Sequence, residues 1–139
     1  MTSDAIETKI YLQIKADAVL GLLDVKKGKS KPVTEATVNE RIVVRHSASD
    51  NGSFQHSFGY VYVYCPLVSF TETGTTYKRE NSTRVAVLEA AVKSLFKKTT
   101  IYVASETLRY KADTITKEED AETFSTVITI KLRITNNNF

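Results

Sequence analysis

Residues able to do chemistry are few in this chain, and their spacing argues against most reactions. Its two histidines, His46 and His56, stand at the two ends of a predicted hairpin, where facing imidazoles could share a metal ion. Asp50 is the only nearby candidate for a third ligand. Two hairpin histidines are too few for a structural zinc site, so polar groups at a loop mouth are the plainer reading. The one cysteine, Cys65 beside Pro66, has no activating base near it in sequence. It reads as a small buried residue, because a reactive thiol needs an electropositive, exposed setting. A single cysteine also excludes an intrachain disulfide and most cysteine-based metal sites. Glu118, Glu119, Asp120 and Glu122 crowd one stretch, KEEDAE, but without the spacing of a calcium loop they read as a solvated turn. No serine sits in a nucleophile-elbow context, and no glycine-rich run could cradle a phosphate. Asn81-Ser82-Thr83 fits the glycosylation pattern and is better explained as a helix cap. These residues predict no catalysis, no cofactor and no metal.

Two stretches point to contacts instead. Phe58, Tyr60, Tyr62 and Tyr64 alternate with Gly59, Val61, Val63 and Cys65, so one strand shows an aromatic face and a small, branched face. The branched face should pack on a helix. Tyrosines suit packing between layers, protein interfaces or stacking of single-stranded bases, in that order here, since the strand itself carries no Lys or Arg. The second stretch is KKGKSK, with Lys26, Lys27, Lys29 and Lys31 before Pro32. It reads as a basic loop, either solvated or set against a phosphate backbone or an acidic partner. The candidate contact residues are therefore Lys26, Lys27, Lys29, Lys31, Tyr60, Tyr62, Tyr64, Glu118, Glu119 and Asp120.

Periodicity predicts the helices and strands that carry these residues. Val85, Leu88, Val92, Leu95 and Phe96 recur at helical spacing within Ser82–Lys98, with Asn81 or Ser82 to cap the start. Ile6, Ile10 and Ile14 lie four apart and predict a helix from Ser3 to about Leu23; a strand through Lys9–Ile14 is the rival. Strands are expected over Asn39–His46 and Ser57–Cys65, joined by the turn SASDNGS. Leu67–Lys78 reads as a Thr-rich loop. Thr99–Lys111 reads as a strand bent near Ser105, and Thr114–Glu122 as an acidic turn. Thr123–Thr135 is the clearest strand, about 40 Å long if fully extended. Strand pairs joined by turns predict an α+β fold: an antiparallel sheet of about four or more strands, helices on one face, and long strands reaching beyond the core.

At 139 residues, 42% hydrophobic and 25% charged, the chain is one globular domain, 1–139, rather than a disordered one. The net charge of +3 is spread along its length and does not by itself imply nucleic-acid binding. The opening MTSDAIETK lacks a basic-then-apolar leader pattern, and no apolar run approaches the roughly 18 residues of a membrane span. A protein made in a reducing cytosol, without a membrane partner, is expected.

The order of these elements resembles the tail-terminator, or tail-completion, family of tailed bacteriophages and, more loosely, their neck and connector rings. The likeness runs through IETKIYLQIKADAVLGLL, the hairpin NERIVVRHSASDNGSFQHSFGYVYVYCP, the helix RVAVLEAAVKSLFKK, and the closing strands TIYVASETLRYKAD and AETFSTVITIKLRIT. It is a likeness of pattern and order over nearly the whole chain and carries no residue roles with it. It implies a virion protein, not an enzyme, assembled in the host cytoplasm. Such a protein forms a homo-oligomeric ring, commonly a hexamer, that caps the tail tube and joins the head connector, with DNA passing its lumen. Oppositely charged stretches, KKGKSK and KEEDAE, would suit a ring in which the two sides of one subunit are complementary.

Two other classes compete. A ligand-binding or enzymatic domain of the cystatin-like or nuclear-transport-factor-like type predicts a pocket between helix and sheet. The unbroken apolar face of the Ser82–Lys98 segment disfavours it. A module for single-stranded nucleic acid, using Tyr60, Tyr62 and Tyr64 with KKGKSK, predicts salt-dependent binding.

Overall fold

Ile6, Ile10 and Ile14 form the fully buried stripe of the first helix, α1 (Ser3–Lys15), in the computed structural model. It describes residues 3–28, 32–46, 54–97, 99–103 and 106–138. The helix settles the rivalry at Lys9–Ile14 but ends well before Leu23. Asp17 stops it: its carboxylate accepts from the N–H groups of Val19 at 3.0 Å and Leu20 at 2.8 Å, starting a short 3-10 turn, Leu20–Leu22. Asp side chains compete with helical hydrogen bonding in this way.

The strands are β1 (Asp24–Lys27), β2 (Arg41–His46), β3 (Phe54–Pro66), β4 (Val68–Glu72), β5 (Thr75–Arg79), β6 (Thr99–Val103), β7 (Glu106–Asp120) and β8 (Ser125–Asn138). The second helix, α2 (Ser82–Leu95), follows β5. Six strands form one sheet in the order β1-β2-β3-β8-β7-β6, and β4 with β5 forms a separate hairpin. The fold is α+β, as periodicity predicts, but the sheet is mixed, because β1 pairs parallel with β2. Every other strand pair is antiparallel.

Three other expectations change. Leu67–Lys78 is a hairpin rather than a loop; its tip places Thr73 at φ 50° and Gly74 at φ 77°, the paired positive values of a tight two-residue turn. Thr99–Lys111 is two strands rather than one bent strand: β6 and β7 pair antiparallel from Val103↔Glu106 to Thr99↔Tyr110, so the inward side changes because the chain reverses. Ser105 itself lies outside the described residues; a bulge occurs between Ala112 and Thr114. The acidic stretch is strand as well. Lys117–Asp120 continues β7 opposite β8, and the turn falls afterwards, where Asp120 accepts from the Glu122 N–H at 3.1 Å and the Thr123 hydroxyl at 2.9 Å.

Asn81 caps α2, accepting from the Arg84 N–H at 3.3 Å. Arg84 then forks onto Glu40 with bonds of 2.6 and 2.8 Å, tying the start of α2 to the entry of β2. Val85, Leu88, Val92 and Phe96 join Ile6, Ile10 and Ile14 in one buried cluster with Ile42, Val44, Val61, Val63, Cys65, Ile128, Ile130 and Leu132. The strand members of that cluster all project from one side of the sheet, as the registers require. On the branched side of β3, Val61, Val63 and Cys65 belong to the same buried cluster as Val85, Leu88 and Val92. Gly59 on that side is close to a neighbouring strand rather than to a helix: an added Cβ would lie 2.9 Å from Ile134 Cδ1.

Candidate interaction surface

The opposite side of the sheet carries the aromatic row. Tyr64, Tyr62 and Tyr60 stand beside Arg41, Val43 and Arg45 of β2 on one flank. On the other flank Tyr64, Tyr62, Tyr60 and Phe58 stand beside Val127, Thr129, Lys131 and Arg133 of β8. Directly opposed residues of an antiparallel pair share a side, so one further step places Glu118, Thr116, Thr114 and Lys111 of β7 in the same rows, with Arg109 beside Thr135. The tyrosines are half-buried, whereas Phe58, Arg109, Lys111, Thr114, Thr116, Glu118 and Arg133 are exposed.

Rings and cations are matched along the row. Tyr60 and Tyr62 lie nearly parallel, 13° apart with centroids at 6.1 Å. The Arg41 guanidinium covers the Tyr64 ring at 4.4 Å, and the Lys131 ammonium covers Phe58 at 4.3 Å. Burial pushes the Tyr64 hydroxyl above its ordinary value; Arg41 pulls the other way, while Tyr62 and Asp120 add to the rise. The row is electrically graded. Asp24, Glu118 and Asp120 lie at the Tyr64 end, whereas Arg45, Lys111, Lys131, Arg133 and Arg109 lie toward Phe58 and beyond it. At that basic end is a hollow of about 230 Å³ lined by Arg109, Tyr110, Lys111, Arg133 and Thr135.

The charged stretches come to rest on opposite edges of the sheet. Lys26 and Lys27 are not in a loop but on the edge strand β1; four residues are too few for alternation to mark a strand, and only its partner β2 defines it. Lys26 pairs with Asp24 at 3.5 Å. Lys27 reaches α1, meeting Asp4 at 3.4 Å and the Thr8 hydroxyl at 2.9 Å. Lys29 and Lys31 lie outside the described residues, as does the turn SASDNGS with Asp50. Glu118 and Glu119 are exposed on β7, beyond the reach of β6, which pairs only with Glu106–Tyr110. Among the described residues, no strand lies against the outer edge of Ile115–Asp120. The residues of β1, from Asp24 to Lys27, fall in the same cross-strand rows as Glu118 back to Ile115. Among the described residues, the sheet at that level therefore has two open edges on opposite sides.

The histidines do not meet. His46 projects on the side of Gly59 and contacts the Ser57 hydroxyl at 2.8 Å, while His56 stands beside Thr135 on the aromatic side. Among the described residues no three His, Cys, Asp or Glu side chains gather as a metal-ligand set. Cys65 is buried, and its thiol is pushed up to about 11, chiefly by burial. No helix among the described residues is long and apolar enough to cross a membrane.

Sequence reasoning placed the tyrosines on one side but missed their cationic neighbours. Arg41 and Arg45, and Lys131 and Arg133, were visible as two-residue alternations. That they flank the tyrosine strand on both sides depends on β8 inserting between β3 and β7, which no local pattern records. No model of a known protein family matches this sequence, and no curated protein does.

Proposed function

We propose that this chain is a structural subunit that assembles head to tail into a ring, in the neck or tail of a tailed phage, where the ring caps the tail tube and joins it to the head connector. The observation that supports assembly is the pair of open edges at one level of the sheet. β1 runs with β2 and β8, and β7 runs against them. A second copy in the same orientation would therefore bring its β7 edge against β1 in the antiparallel sense. Such a contact is heterologous, and sheet twist turns each added copy by a constant angle, which is what a closed ring needs. Charges on edge strands normally block indiscriminate pairing; here Lys26 on one edge and Glu118 and Glu119 on the other make the permitted pairing selective. The phage setting rests on the resemblance read from the sequence alone.

A ligand-pocket protein would place its cavity between helix and sheet. The hollow described here opens beside β7 and β8 at the basic end of the aromatic row, which gives that reading no support.

Mass measurement with negative-stain microscopy tests the ring. Wild-type protein should form rings, alone or on tail tubes or connectors. Glu118→Lys with Glu119→Lys should leave a folded monomer, and adding Lys26→Glu should restore part of the assembly. A wild type that stays monomeric at high concentration and also with tubes and connectors present would end the proposal.

A further inference from the structure

We propose that the aromatic side of the sheet binds single-stranded nucleic acid, with phosphate held at the hollow between β7 and β8 and bases laid on the rings of Tyr60 and Tyr62. This site does not depend on ring assembly. The hollow is lined by Arg109, Tyr110, Lys111, Arg133 and Thr135, so three cationic residues and a threonine border a space large enough for a phosphate group. Guanidinium groups are suited to phosphate because their planar fork offers paired donors. Among the described residues an acid stands beside the hollow: Asp113 holds Arg133 at 3.3 Å, which leaves Arg109 and Lys111 to set its charge.

Phe58, covered by Lys131, stands directly beside Arg133 and joins the hollow to the open rings. Tyr60 and Tyr62 follow, with ring centroids 6.1 Å apart. That is nearly twice the roughly 3.4 Å between successive bases of a duplex strand, so neighbouring rings fit unstacked bases of an extended strand. Base stacking on aromatic side chains tolerates any sequence, and Arg45 and Lys131 flank the same rings to follow the backbone. At the far end Arg41 already covers Tyr64, and Glu118 and Asp120 repel phosphate, so the track stops at Tyr62. An acidic peptide would use the cations but leave the row of rings without a partner.

Fluorescence anisotropy with a labelled oligothymidylate of about 12 nucleotides tests the site. Affinity should fall as salt rises, and Arg109→Ser, Lys111→Ser and Arg133→Ser together should flatten the log–log slope by about 2. Tyr60→Leu and Tyr62→Leu should each weaken binding roughly 5- to 150-fold while leaving the slope unchanged, and the Phe variants should bind as wild type. Asp113→Asn should tighten binding by releasing Arg133, a gain that misfolding cannot produce. Three results would overturn the proposal. One is no binding at low salt. Another is a duplex, heparin or anionic vesicles binding as tightly as the single strand. The third is leucine variants that bind like wild type, which would mean charge alone attracts the polyanion. Ring formation by the triple serine variant, scored by microscopy, separates failure here from failure of the assembly reading.

Discussion

At Cys65 and His46, burial is the largest influence on the chemistry of the side chain. The thiol is buried in the cluster that also holds Val85, Leu88 and Val92 of α2, pushed up to about 11 by burial, with Glu40 adding to the rise and Arg84 opposing it. At pH 8 the native protein should therefore resist iodoacetamide, and alkylation should follow the unfolding rate. Modification as fast as a free thiol would mean that β3 does not face α2. Burial lowers the His46 value below 6.5, and Glu7, which accepts from the His46 backbone N–H at 2.9 Å, partly offsets it. The folded state thus binds the proton less readily than the unfolded chain does. This contribution to stability is complete above about 6.5 and is lost as pH falls from there through the lowered folded value. Urea midpoints between pH 7.5 and 5.5 should decline for the wild type and flatten in His46→Gln. An equal decline in both would assign the pH dependence to other groups.

Among the elements, α2 distinguishes residues that share a hydrophobic stripe. Leu88 is fully buried and Leu95 only partly. Leu88→Ala should cost about 2 to 5 kcal/mol, through lost transfer energy and a residual cavity, and Leu95→Ala clearly less. Equal losses in chemical denaturation would mean that the helix is rotated from the position described. The β4–β5 hairpin is the opposite case. Its strands are exposed almost throughout, held by Phe70 against Tyr77 at 5.3 Å and by Arg79 over Phe70 at 4.3 Å. Lys78 meets Glu35 at 3.4 Å, an exposed pair of little energetic weight. Two-stranded hairpins are marginal alone in water. Amides of β4 and β5 should exchange fast in the monomer and slow on assembly if the hairpin docks on a neighbouring subunit; unchanged exchange would exclude it from the interface.

At the scale of the whole molecule, a sheet with two usable edges couples stability to association. The thermal midpoint should rise with protein concentration, because only the folded form assembles, and Glu118→Lys with Glu119→Lys should abolish the rise. A wild-type midpoint independent of concentration would argue for a monomer. By itself, the sequence determined the buried stripes Ile6–Ile10–Ile14 and Val85–Leu88–Val92, the two-sided strand with Tyr60, Tyr62 and Tyr64, the Asn81 cap and the buried Cys65. These are local properties, set by periods of two and 3.6 residues that a short window contains. The tertiary structure alone decided that β1 exists and runs parallel to β2, and that Lys117–Asp120 is strand rather than turn. It also decided that Arg41, Arg45, Lys131 and Arg133 frame the tyrosines, and that Lys26 and Glu118 occupy opposite edges of one sheet. Each of those depends on which strand lies beside which, and hydrogen bonds between residues far apart in the chain leave no periodic mark on either partner.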